Sequence, residues 1–294
     1  MDRYKTSFAG YRKVEVFDDH LDVNFPVFVM YPTDIPEMRE HIGPYEINVA
    51  KNGQLQHGVF PLVLISHGGG GTPLVYRTIA HHLARNGFIV AMPEHPSNNI
   101  HNNDLENTIE LLEDRPKNIT QVIDWISNDS FFAPYVDSID VGIIGHSMGG
   151  YTAIACVGGI PTTLPWETED QLPIVVDVNV ERRIKKAILL APALGWFRNK
   201  GALDSVNVPI LLMTGEKDEI TPSFHAEFLL KCVKDPENKI EHKVIYNAGH
   251  FSFVSPFPQN MKKASFPPSQ DPKGFNRELF HQQLNSYILN FFRS

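Results

Sequence analysis

Gly145-His146-Ser147-Met148-Gly149 sets a serine between two glycines at the spacing of a nucleophile elbow. A free serine hydroxyl is a weak nucleophile and needs a base to take its proton as it attacks. That base is normally a histidine held by a carboxylate. Around an elbow the chain order is serine, acid, histidine, so both partners must lie beyond Ser147. The strongest acid is Asp218, just past the apolar run 210–214; Glu216 and Glu219 are its rivals, and a loop or helix-cap role is open to each of the three. Of thirteen histidines only His225, His242, His250 and His281 follow it. His225 and His281 fall in helical patterns and His242 at the start of a strand-like run. His250 follows that run, and Gly249 before it frees the loop to aim its ring.

Acyl transfer through such a serine also needs two backbone N–H groups facing the developing oxyanion. Met148, next after the nucleophile, supplies one. The second is expected from His67-Gly68-Gly69-Gly70-Gly71, where glycines let the backbone approach a ligand closely, and Gly69 is favoured. Gly70, His146, Trp166, Trp196 and Phe251 flank these positions as candidate substrate contacts, although aromatic side chains serve a core as readily as a pocket wall. His81-His82 and the His95/His101 pair do not have metal-ligand spacing and are expected to be solvated or capping, so no metal is assigned. The glycine-rich loop lacks the lysine and serine or threonine of a phosphate cradle.

The elements that must position these groups are legible from residue 60 onward. Apolar runs at 60–66, 88–92, 141–144, 187–190 and 210–214, with a last strand at 244–246, read as buried strands. Helical patterns at 73–86, 105–113, 119–127, 151–156, 223–233 and 275–292 fall between and after them. This alternation predicts an α/β fold with a mainly parallel sheet covered on both faces. Residues 11–17 and 25–31 read as an antiparallel edge hairpin, and 32–58 as a long polar connection. Residues 161–181, with Pro161, Pro165, Trp166 and several acids, interrupt the alternation as a candidate cap or lid returning beside Ser147. No repeat or linker appears, so the 294 residues are expected to form one domain.

Composition narrows the partners. With 42% apolar residues the chain can fill a sizeable core. A formal charge of −8 with no basic run argues against nucleic-acid or anionic-membrane partners. Two cysteines do not make a disulfide framework, and the N-terminus lacks the apolar stretch of a signal peptide, so the reading is cytoplasmic. Oligomeric state is not legible.

Ile65-Ser66-His67-Gly68, Gly87-Phe88-Ile89-Val90, Asp114-Arg115-Pro116 ahead of a helix, the elbow with Gly150, Thr214-Gly215-Glu216-Lys217-Asp218 and Ala248-Gly249-His250-Phe251 together resemble the α/β-hydrolases. Within them the chain looks most like the dienelactone-hydrolase-like and platelet-activating-factor-acetylhydrolase-like esterases, over residues 59–255. The resemblance implies serine esterase chemistry on a small-molecule ester or lactone with no cofactor. It also implies a Ser147–His250–Asp218 triad, with Gly69 and Met148 as oxyanion donors. Two departures stand out. Dienelactone hydrolases proper use a cysteine where this chain has Ser147. Plasma-type acetylhydrolases place the acid after the strand that follows the elbow, where this chain reads Leu190-Ala191-Pro192-Ala193-Leu194-Gly195-Trp196, without a carboxylate. Some relatives open macrolide lactones, and insertions at 161–181 and 254–272 offer room for such a bulky ester. A non-catalytic ligand-binding protein on the same fold is the alternative of a different class; the filled catalytic positions disfavour it.

Overall fold

The computed structural model describes residues 7–294. Two hairpins open the chain: β1 (Phe8–Asp18) with β2 (Val23–Thr33), and β3 (Met38–Ile42) with β4 (Tyr45–Lys51). Then follow β5 (Phe60–Ser66), α1 (Arg77–Arg85), β6 (Ile89–Pro93), α2 (Ile109–Asn128), β7 (Val136–His146) and α3 (Met148–Cys156). The last part holds β8 (Ile184–Leu190), β9 (Ile210–Gly215), α4 (Phe224–Cys232), α5 (Pro236–Lys239), β10 (Ile240–Ile245) and α6 (Arg277–Arg293). All ten strands join one sheet in the order β10-β9-β8-β7-β5-β6-β2-β1-β4-β3.

From β6 to β10 every neighbouring pair is parallel. Parallel neighbours end at the same edge, so the loops after β5, β7, β9 and β10 emerge together; ligand crevices in open α/β sheets form at that edge. These strands are apolar throughout because helices cover both faces. Ile79 and Leu83 of α1 pack with Leu284 and Ile288 of α6 on one face. Ile119 and Val122 of α2, Ile154 of α3 and Leu229 of α4 cover the other.

The polar connection read at 32–58 is instead the β3–β4 hairpin, and β4 pairs with β1, so the first hairpin lies inside the sheet rather than at its edge. The reason is alternation: Tyr45, Ile47 and Val49 turn inward while Glu46 and Asn48 between them face solvent. The two helical runs expected around Pro116 are one helix, α2. A proline inside a helix frees the carbonyl four residues earlier, here that of Leu112, and the Tyr151 hydroxyl donates to it at 2.9 Å. Among the described residues no helix is long and apolar enough to cross a membrane.

Where α2 meets the β1–β2 turn, two carboxyl groups are buried side by side. Burial opposes ionisation of Asp18, but N–H groups of His20 and Leu21 and the Gln121 amide donate to it and hold its pKa below the usual carboxylate range. Asp114 is pushed up to about 8, by burial first and then by the charge and hydrogen bond of Asp18. Folded Asp114 therefore keeps a proton that an unfolded aspartate has lost above about pH 4. That contribution to stability is fully present below the unfolded pKa and is lost as pH rises through the folded value near 8. Asp114→Asn is expected to flatten the fall in melting temperature between about pH 5 and pH 9. Equal slopes in a thermal series of both proteins would count against a protonated Asp114 in the folded chain.

Candidate active site

Ser147 occupies the junction of β7 and α3 with φ 53° and ψ −118°, a strained conformation for a residue with a side chain. The turn is tight enough that a Cβ on Gly145 would strike the Gly149 carbonyl, and one on Gly149 would strike the Ser66 carbonyl at the end of β5. Both positions are restricted to glycine by close backbone approach. The Ser147 N–H donates to the Leu190 carbonyl at 3.1 Å, and its own carbonyl accepts from Gly150 and Ala193 at 2.8 and 2.9 Å. These bonds pin the elbow independently of the serine hydroxyl.

His250 starts a single 3₁₀ turn, His250–Phe253, after β10. Its Nδ1 lies 2.9 Å from Oδ2 of Asp218, on the loop after β9. The other carboxylate oxygen, Oδ1, accepts the N–H groups of Ile220 at 2.9 Å and Thr221 at 2.8 Å. Burial opposes ionisation of Asp218, yet the hydrogen bond and charge of His250 with the two bonds from Thr221 outweigh it and hold the pKa below its ordinary value. The Thr221 hydroxyl stands 2.8 Å from Asp218 Oδ2, 3.0 Å from the Ala191 carbonyl and 3.1 Å from His250 Nδ1. Its single proton goes to one of the two acceptor oxygens, leaving its lone pairs facing the imidazole N–H. Glu216 instead accepts from the Asn247 N–H at 2.9 Å.

His146 ties the three converging loops together. Its Nε2 is 3.0 Å from the His250 carbonyl, and its Nδ1 is 2.9 Å from the Tyr76 hydroxyl, which also accepts the Gly68 N–H at 3.3 Å. Burial, reinforced by His250, pushes the His146 pKa down to about 3. The neutral ring therefore donates from Nε2 to the carbonyl and accepts from Tyr76 at Nδ1. His146 thus acts on the backbone of His250 and of the glycine loop.

In that loop Gly68 N–H is taken by Tyr76, and Gly71 N–H by the Gly68 carbonyl at 3.1 Å. Gly69 lies against the elbow: a Cβ there would sit 3.7 Å from that of Met148. Met148 is the first residue of α3, where N–H groups lack partners within the helix. Gly70 turns the loop with φ 58°. Beneath it Arg115 is fully buried and donates to Asn98 Oδ1 at 2.6 Å, Thr152 Oγ1 at 2.9 Å, Ser66 Oγ at 3.1 Å and the His67 carbonyl. Burial lowers its pKa to about 9, so it remains a cation under the elbow and the loop. His95, expected to be solvated or capping, is fully buried in this network, bonded to Ser66 Oγ and Asn118 Oδ1 at 2.9 Å each.

Ser147, His250, His146 and the loop from Gly68 to Gly71 open into a cavity of about 310 Å³. Its apolar walls include Val75, Ile100, Ile220, Phe251, Val254 and Phe266. Trp166 and Trp196 do not line it. Trp166 is 66% exposed and borders a separate concavity with Asn107 and Glu110. Trp196 packs edge-on against Tyr151, with ring centroids 5.0 Å apart, and donates its indole N–H to Glu167 at 2.8 Å. Residues 161–181 are fastened to the turn after β8, since Thr162 N–H donates to the Trp196 carbonyl and Asn199 to the Thr162 hydroxyl, each at 2.7 Å. Sequence reasoning missed Thr221, Tyr76 and the wall residues Ile100 and Ile220, whereas Val254 and Phe266 come from the 254–272 insertion expected to give room for a bulky ester. Only Thr221 carried a readable signal, a hydroxyl three residues beyond the acid.

The parallel sheet with a serine elbow at the end of a central strand defines an α/β-hydrolase fold. Two comparisons add particulars. A model of the family described as platelet-activating factor acetylhydrolase, isoform II, matches residues 36–120, a stretch that contains the glycine loop and Arg115 and ends before Ser147. Among solved structures the chain is similar in fold to a ferulic acid esterase from Streptomyces cinnamoneus, with a TM-score of 0.68 and 17% identity, covering 97% of this chain and 88% of that one. No curated protein sequence matches the chain.

Proposed function

We propose that the chain is a serine carboxylic-ester hydrolase working through an acyl-enzyme on a small-molecule ester. The carrying observation is that Ser147, strained at its elbow, shares a cavity with His250, whose Nδ1 is held at 2.9 Å by Asp218. In this reading His250 Nε2 takes the Ser147 proton as the oxygen attacks the ester carbonyl. Asp218 fixes the tautomer that leaves Nε2 free to accept and stabilises the imidazolium that forms. The N–H groups of Gly69 and Met148 bind the oxyanion of the tetrahedral intermediate. Collapse passes the proton from His250 to the leaving alcohol, and water, activated by the same histidine, then releases the acid. The family match and the esterase of like fold support this choice over a non-catalytic binder. The purified chain, with no metal or cofactor added, is expected to hydrolyse p-nitrophenyl acetate and to take up one fluorophosphonate group, located on Ser147 by peptide mass. Absence of both turnover and label would overturn the reading.

A further inference from the structure

A second and larger cavity, of about 650 Å³, adjoins the one at Ser147. The two share Thr72, Val75, Ile100 and Phe266, so the same four side chains form the partition and the passage between them. None of the four is fully buried, and Ile100 is 56% exposed, so the boundary is a sill rather than packed core. Taken with the esterase reading, on which it rests, the geometry points to one bipartite substrate cleft. We propose that the outer cavity receives a large, mainly apolar, ring-containing part of the ester whose carbonyl sits at Ser147.

The walls decide the chemistry. Tyr11 on β1, Phe28 on β2 and Tyr45 on β4 contribute rings, with Ile42 and Leu74 beside them. All three rings are largely buried, at 4%, 9% and 3% exposure, and the Arg77 guanidinium lies 3.9 Å over the Tyr45 ring, so they offer the cavity a limited aromatic area against which a ring-containing partner gains apolar burial and edge contacts. The Tyr11 and Tyr45 hydroxyls bond no protein group among the described residues, and burial raises both phenol pKa values, that of Tyr11 to about 12. They stay protonated and are able to donate to an oxygen on the bound group. Each cavity alone falls in the range of about 300–1,000 Å³ typical of small-molecule sites. The inner one holds the ester bond and a short substituent. The outer one holds a group about twice that volume.

The elements that build the outer cavity have no task in the catalytic steps. The β3–β4 hairpin supplies one wall, and residues 261–266 supply the other through Met261 and Phe266. That second segment is held in place. Arg277 fixes the following residues by donating to Asp271 at 2.9 Å and to the Pro268 and Gln270 carbonyls at 2.8 Å each. Ser269 and Gln270 in turn bond to the Lys263 backbone at 3.1 and 2.9 Å, and the Phe266 ring packs edge-on against Phe257 at 5.3 Å. The cavity is therefore a formed site rather than a gap under a loose loop.

The test compares kcat/KM for small and bulky esters in two series: p-nitrophenyl acetate against p-nitrophenyl 4-phenylbutanoate, and methyl acetate against 9-fluorenylmethyl acetate. The first series reads the acyl half and the second the alcohol half. The wild-type chain is expected to prefer the bulky member of at least one series. His41→Trp and Lys51→Trp fill the outer cavity from its exposed rim, away from Ser147. Each is expected to lower that preference about tenfold or more while p-nitrophenyl acetate turnover stays within about twofold. No preference in either series, or one that both variants leave intact, overturns the bipartite cleft while the esterase reading stands on acetate turnover. Absence of turnover on every ester overturns both.

Discussion

Ser147→Ala is expected to lower kcat on p-nitrophenyl acetate by about 10⁵–10⁶, leaving only the catalysis that an oxyanion hole supplies without a nucleophile. The loss should not come from misfolding. The elbow is held by the Ser147 N–H and carbonyl, through Leu190, Gly150 and Ala193, and alanine keeps all three bonds. It also keeps the Cβ that the φ of 53° already accommodates. The melting temperature should therefore stay near that of wild type. Removing the His250 ring should cost a similar factor, and the double variant little more, because nucleophile and base act as a unit. Turnover by Ser147→Ala within tenfold of wild type would remove this serine from the mechanism.

The strand ends that carry the proposed triad left the clearest marks in the sequence, for a physical reason. Elbow glycines, apolar strands buried on both faces and a base set just past a strand all depend on local backbone demands, and these leave local marks. Gly145 and Gly149 show the mark plainly, since each would drive a Cβ into a carbonyl. Asp218 was separable from Glu216 only by distance from the strand end. In the structure Glu216 serves the Asn247 N–H while Asp218 reaches His250.

What was not legible depended on contacts between distant segments. The β3–β4 hairpin was read as loop because its strands are short and one face is charged. Pairing with β1 defines it as sheet. Pro116 looked like a helix boundary, and the Tyr151 hydroxyl from another helix removes that cost. Trp166 was expected beside Ser147 because its segment follows α3. The chain is drawn instead to the turn at Trp196, where Glu167 finds an indole N–H. The cavity wall Ile100 comes from a loop whose composition does not distinguish it from a solvent-facing turn, while Phe266 comes from the 254–272 insertion, whose position but not whose individual contacts could be read. Spacing within one segment reveals the chemistry of a site, whereas the shape of its pocket is set by which segments fold over it.

Asp218→Asn is expected to lower kcat by about 10⁴ while leaving KM within a few-fold. In the proposed mechanism the carboxylate, 2.9 Å from His250 Nδ1, accepts its N–H and so leaves Nε2 free to take the serine proton. An asparagine can keep its oxygen on the Ile220 and Thr221 N–H groups, which Oδ1 occupies at 2.9 and 2.8 Å. Its NH₂ then replaces Oδ2 and faces the imidazole as a donor. Nδ1 must become an acceptor, the proton moves to Nε2, and the base is presented in the wrong tautomer. Thr221 tempers the effect, since its hydroxyl lies 3.1 Å from Nδ1 and can accept from the productive tautomer. Asp218→Asn combined with Thr221→Val should therefore be slower than either change alone. Because asparagine can keep its oxygen on the Ile220 N–H, the proposed apolar wall should stay in place and the loss should fall on kcat. Glu216→Gln and Glu219→Gln should each cost less than about tenfold, because neither carboxylate bonds to His250. Steady-state kinetics on p-nitrophenyl acetate settle the assignment: if Glu216→Gln were the more damaging change, Asp218 would not be the residue that orients the base.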